Sequence, residues 1–119
     1  MLVDGFHHAS INVDDLDAAK GFYVELLGLT PLDRPDLGVG GVWLDAGDGR
    51  QIHLIDLPNV PPDCGQHFAF RVADVESTVA ALRAAGIEVS DPRQIADVAK
   101  QAMCHDPCGN RVEFNQPLV

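Results

Sequence analysis

At 119 residues the chain has room for one compact domain, or for two halves that share a core; a half of roughly 60 residues would bury too little surface to be comfortable alone. Hydrophobic residues at 46% and charged residues at 22% are ordinary for a globular protein, and no run approaches the length of a membrane span. A formal charge of −10 argues against unspecific nucleic-acid binding and against docking on an anionic membrane, since both want a basic face.

The N-terminal residues lack a basic region followed by an apolar core and a cleavage site, so no secretory leader is expected. Cys64, Cys104 and Cys108 are odd in number, and no second cysteine pair completes a metal knuckle. Free thiols in a reducing cytoplasm are the expectation.

Residues 6–13 alternate as a strand, with His7, Ala9, Ile11 and Val13 on one face and Phe6, His8, Ser10 and Asn12 on the other. The first face suits packing under a helix; the second suits a wet cavity. Asp14 or Asp15 can cap the next element. Leu16, Ala19, Phe22, Tyr23, Leu26 and Leu27 then follow at helical spacing, up to a stop near Gly28. Short strands are expected at 29–32, 42–44 and 51–55, with a turn at Gly47-Asp48-Gly49. Three prolines in 56–66 mark a stiff connector.

The second half follows the same plan. A strand at 67–72 leads into a helix through Val75, Val79, Leu82 and Ala85 that ends at Gly86. Strands follow at 87–89, near 98–104 and at 110–115, the last two flanking the turn Asp106-Pro107-Cys108-Gly109-Asn110, while 90–97 reads as irregular. His67-Phe68-Ala69-Phe70-Arg71-Val72-Ala73-Asp74 matches His8-Ala9-Ser10-Ile11-Asn12-Val13-Asp14-Asp15, and Gly28-Leu29 matches Gly86-Ile87. Aligning Gly49 with Gly109 places His53 on Glu113. Agreement at four element boundaries makes this a β-α-β-β-β unit present twice.

The repeat singles out His8, His53, His67 and Glu113 on the opening and closing strands of the halves. Three imidazoles and one carboxylate suit a first-row divalent ion, one per site, with Zn, Ni, Fe, Mn and Co all open. On this reading the ion keeps positions for water or substrate. Strand parity adds Ser10 and Asn12 beside His8, Arg71 beside His67, and Arg111 beside Glu113, as candidates for substrate binding, with Asn115 on the other side of Glu113; either arginine could clamp a carboxylate or phosphoryl group. His7 faces the other way and serves as a control. Asn110 is expected to shape its turn, and Cys104 and Cys108 to be structural thiols.

These stretches, with Phe22-Tyr23, Leu27-Gly28-Leu29 and Asp106-Pro-Cys-Gly-Asn-Arg-Val-Glu-Phe114, resemble the vicinal-oxygen-chelate superfamily of glyoxalases, bleomycin and fosfomycin resistance proteins and extradiol dioxygenases. The resemblance implies an α+β fold. One glyoxalase-like domain over 1–119 would consist of module 1 (about 5–56) and module 2 (about 66–117), forming a curved, barrel-like mixed sheet around a metal-binding cup. By position, His8, His67 and Glu113 match the superfamily's His, His, Glu set. His53 stands at the fourth ligand position, glutamate in glyoxalase I and glutamine in methylmalonyl-CoA epimerase.

The resemblance favours a metal-dependent lyase or isomerase acting on a small substrate chelated through adjacent oxygens, with Glu113 as the catalytic proton shuttle. Three alternatives stay open: a fosfomycin-type enzyme using a thiol co-substrate, a non-enzymatic drug-binding protein of bleomycin-resistance type, and an Fe(II) extradiol dioxygenase. Small members of the family often pair their modules across a dimer, which implies a homodimer here.

Overall fold

The computed structural model describes residues 2–119, which divide into two compact units, 2–61 and 62–119. Unit 1 opens with β1 (His8–Val13), whose alternation sends Val13 into the core and leaves His8 and Ser10 exposed. Asp15 then caps α1 (Leu16–Lys20), its side chain accepting from the Ala18 N–H at 3.0 Å. The helix does not continue in α geometry. Gly21–Leu26 is a π-helical turn, closed by the Leu27 N–H donating to the Phe22 carbonyl at 3.0 Å. Phe22 and Tyr23, adjacent in sequence, are both buried within it.

Three strands complete this unit: β2 (Thr30–Leu32), β3 (Gly41–Asp45) and β4 (Gln51–Asp56). They make a mixed four-stranded sheet of order β1-β4-β3-β2, in which β1 and β4 run parallel and the other pairs antiparallel. Pro31 is confined to the edge strand β2, where a missing N–H is tolerated.

Unit 2 repeats the plan with β5 (Phe68–Arg71), α2 (Val75–Ala84), β6 (Arg93–Ile95), β7 (Ala99–His105) and β8 (Arg111–Pro117), in the order β5-β8-β7-β6. Asp74 caps α2 through the N–H groups of Glu76 and Ser77. The repeat extends to backbone angles: Gly28 and Gly86 both leave their helices at φ 85, the left-handed region that glycine enters without a Cβ penalty. Gly49 and Gly109 turn their hairpins at φ 85 and 92. Val75, Val79 and Ala102 form a core cluster in this unit, with Val72 and Val89 packed against it.

Two expectations are corrected. The strands do not form one curved, barrel-like sheet around a cup. They make two separate four-stranded sheets, each open at both edges. Closure would need the two edge strands of a sheet to pair, and four strands fall well short of the number (about 8) at which a small barrel closes around side chains. The second strand of unit 2 is also displaced. Residues 87–89 contribute only an isolated bridge from Val89 to Cys104, and the paired strand lies at 93–95, in the stretch expected to be irregular. Pro92, which has no N–H to give a ladder, separates the two pieces.

Candidate functional site

Each sheet has one face under its helix and one polar face, and pairing register fixes which side chains share the latter. In unit 1, His8 lies beside Gln51, Ser10 beside His53, and Trp43 beside His53 on the other side. The imidazoles of His8 and His53 stack at 3.9 Å between centroids and 16° between planes; Trp43 stacks on the far side of His53 at 4.6 Å and 13°. Three rings on three adjacent strands thus form a ridge, with His53 sandwiched and buried. His53 Nε2 lies 2.7 Å from Gln51 Oε1. Burial, followed by His8, His7 and Arg34, holds the His53 imidazole below its ordinary value of 6.5, so its neutral form is favoured. A neutral His53 that donates to Gln51 from Nε2 keeps Nδ1 as an acceptor.

His7 does not turn away from the site as expected. Its Nδ1 lies 2.8 Å from His8 Nδ1, so one of these two nitrogens carries the proton that the other accepts. Asn12 is committed locally, its amide donating to the Asn59 carbonyl at 2.9 Å. Ser10 is exposed on the polar face.

In unit 2, Glu113 is buried although it stands on the polar face. His67 Nε2 meets its Oε1 at 3.1 Å, and the Asn115 amide donates to Oε2 at 2.8 Å. His67 Nδ1 lies 2.8 Å from the Gly65 carbonyl, which can only accept, so Nδ1 is protonated. The remaining bond then needs one proton, carried either by Nε2 as an imidazolium or by Glu113 as an acid. The pair is a one-proton device with its carboxylate held at both oxygens. Arg71 is exposed and makes no ion pair among the described residues. Arg111 reaches Asp63 at 3.5 Å, and His105 reaches the same oxygen at 2.7 Å. The His105 hydrogen bond, then the Gly65 N–H, hold the Asp63 carboxyl below its ordinary 3.8, with Arg111 acting in the same direction. Asp106 accepts from the N–H groups of Cys108 and Asn110 and from the Asn110 amide, so Asn110 does shape its turn. Burial, with the Asp106 charge behind it, pushes the Cys104 thiol up to about 11, away from nucleophilic use.

The expected divalent-metal centre is therefore corrected. Among the described residues no three His, Cys, Asp or Glu side chains come together as a metal site. The four nominated residues instead form two committed pairs. Parallel stacked imidazoles aim their in-plane lone pairs side by side rather than at one point, and both nitrogens of His67 are engaged. Trp43, Gln51 and Arg34 were missed as site residues, whereas strand parity does put Asn115 beside Glu113. The register of β3 on β4 would have found Trp43, since it sits directly across from His53.

This arrangement of two four-stranded units has clear relatives. A family model described as Glyoxalase/Bleomycin resistance protein/Dioxygenase superfamily matches residues 5–114, and the chain belongs to that superfamily. Among individual proteins, the chain is 32% identical to the uncharacterized protein PA2024 of Pseudomonas aeruginosa, covering 93% of this chain and 89% of that one. It is 31% identical to TnmS3, an antibiotic binding protein from Streptomyces sp. CB03234, with a TM-score of 0.82 and 98% of both chains covered. A glyoxalase family protein from Bacillus anthracis is 28% identical with a TM-score of 0.85, covering 97% of this chain and 96% of that one. No helix among the described residues is long and apolar enough to cross a membrane.

Proposed function

We propose that the chain is a binding protein for a small, planar, oxygen-bearing organic molecule, which it holds on the polar face of unit 1. The observation that carries this reading is the ridge of His8, His53 and Trp43. Aromatic side chains offer large contact area at low conformational cost, and a flat ligand stacks on them where an aliphatic one gains less. Polar groups suited to ligand oxygens surround the ridge: the exposed Ser10 hydroxyl, the indole N–H of Trp43 and the Arg34 guanidinium, whose Nη2 already donates to the Val39 carbonyl at 2.9 Å. Likeness to an antibiotic binding protein over nearly the whole of both chains supports the same reading. Pairing of two copies belongs to the proposal, with the exposed Leu2, Val3 and Phe6 as apolar surface for it, as does a cytoplasmic setting suited to three free cysteines.

A second reading is supported by the His67–Glu113 pair, whose single shared proton suits a lyase or isomerase that moves a proton next to a carbonyl. Glu113 would be the base, with Arg71 available to an anionic end of the substrate. The two readings separate in one experiment. A planar polyphenol such as a flavonoid is incubated with the protein and recovered, and methylglyoxal–glutathione hemithioacetal is assayed in parallel. Saturable retention of the polyphenol in unchanged form, with no hemithioacetal turnover, is expected. Turnover abolished by Glu113→Gln would establish the second reading in its place.

A further inference from the structure

At the edge of unit 2 a groove of about 400 Å³ is lined by Glu88, Val89, Ser90, Met103, His105 and Arg111, among others. It is built where the chain between α2 and β6 touches β7: the Ser90 N–H donates to the Met103 carbonyl and Ser90 Oγ accepts from the Met103 N–H, each at 2.9 Å. Two opposite charges with unused bonding capacity line this space. Glu88 is exposed and enters no ion pair among the described residues. Arg111 has only the long 3.5 Å contact to Asp63, whose oxygen His105 holds more closely. Its Nε is buried with no hydrogen-bond partner. A guanidinium carries five N–H donors in a planar fork that matches a carboxylate, so most of this one is uncommitted. Met103, half-buried on the face opposite Ala102 and Cys104, supplies an apolar wall.

We propose that this groove binds a small zwitterion of amino-acid or dipeptide size, with its carboxylate on Arg111, its ammonium on Glu88 and an apolar side chain against Met103. A purely anionic ligand would face Glu88 in a chain of charge −10, and a purely cationic one would face Arg111. Only a molecule carrying both charges satisfies both groups. The volume lies within the range of small-molecule sites (about 300–1,000 Å³) and leaves space beyond a single amino acid.

The test is a titration of the full chain with the dipeptide Leu-Leu, followed by amide NMR shifts, alongside N-acetyl-Leu-Leu and Leu-Leu amide. Leu-Leu should give saturable shifts at Val89, Ser90 and Met103, and each capped peptide should bind at least about tenfold more weakly. Glu88→Gln, an exposed change that breaks no ion pair, should weaken Leu-Leu about tenfold and reduce the discrimination against the N-acetyl form. Arg111→Gln should do the same for the C-terminal amide, with dispersion of the spectrum confirming the fold. Equal binding of capped and free peptides, or no shifts at these three residues, would overturn the proposal.

Discussion

The polar faces of the two units share one backbone plan and carry different chemistry. On unit 1, β4 places His53 between two rings, and the face is aromatic; on unit 2 the matching position of β8 is Glu113, and the face is ionic. The repeat therefore fixes where side chains stand and leaves open what they do. A stacked, desolvated imidazole serves shape and contact. A carboxylate held by His67 and Asn115 serves proton and charge.

The largest effect expected from breaking this comparison is at Gly41. A Cβ there would collide with the Leu54 carbonyl and lie 3.2 Å from the Arg34 guanidinium, whereas Gln101 is accommodated opposite Asn115 in unit 2 much as Gly41 lies opposite Ile55 in unit 1. Gly41→Ala should destabilise the protein by about 1–3 kcal/mol in denaturant unfolding, as overpacking does. Gln101→Ala should change little. On the ionic face, a double-mutant cycle between His67→Ala and Glu113→Ala should give a coupling of about 1 kcal/mol, less than a fully buried pair because the His67 side chain is 30% exposed.

A smaller, pH-dependent contrast sharpens the same point. The folded His53 has its affinity for a proton lowered from 6.5, so the unfolded chain binds more protons between that value and the lowered one. The stability contributed by neutral His53 is complete above pH 6.5 and declines as the solution is acidified through that window. Asp63 has the same sign of pH dependence, through its charged rather than its neutral form: its contribution is complete above 3.8 and is lost as pH falls through the lowered folded value. Hydrogen exchange should therefore show unit 1 softening at a higher pH than unit 2. His53→Gln should remove the acid sensitivity of unit 1, and a slope that persists in that variant would contradict the assignment.

Much of this architecture was legible in the residues. Alternation in 8–13 gave both faces of β1, and the Gly28/Gly86 and Gly49/Gly109 correspondences marked turns that share backbone angles. The displaced strand β6 was not legible, because Ile87-Glu88-Val89 has the stronger strand composition yet forms only a bridge. Nor was the π-helical turn, since the apolar spacing through Phe22 and Tyr23 fits an α-helix almost as well. The metal expectation failed for a specific reason. Parity assigns a side chain to a face, but coordination depends on where its lone pair aims, and stacking of His8 on His53 sets that direction. The ridge itself needed the register between β3 and β4, which no local pattern supplies.

The chain has a single tryptophan, Trp43, placed at one end of the ridge, so its emission reports directly on the central claim. Titration of the intact protein with a planar polyphenol should quench that emission saturably, and His53→Ala, which removes the middle ring, should weaken the affinity at least about tenfold. Saturable binding that leaves Trp43 emission unchanged, or that is equally tight in His53→Ala, would contradict the account.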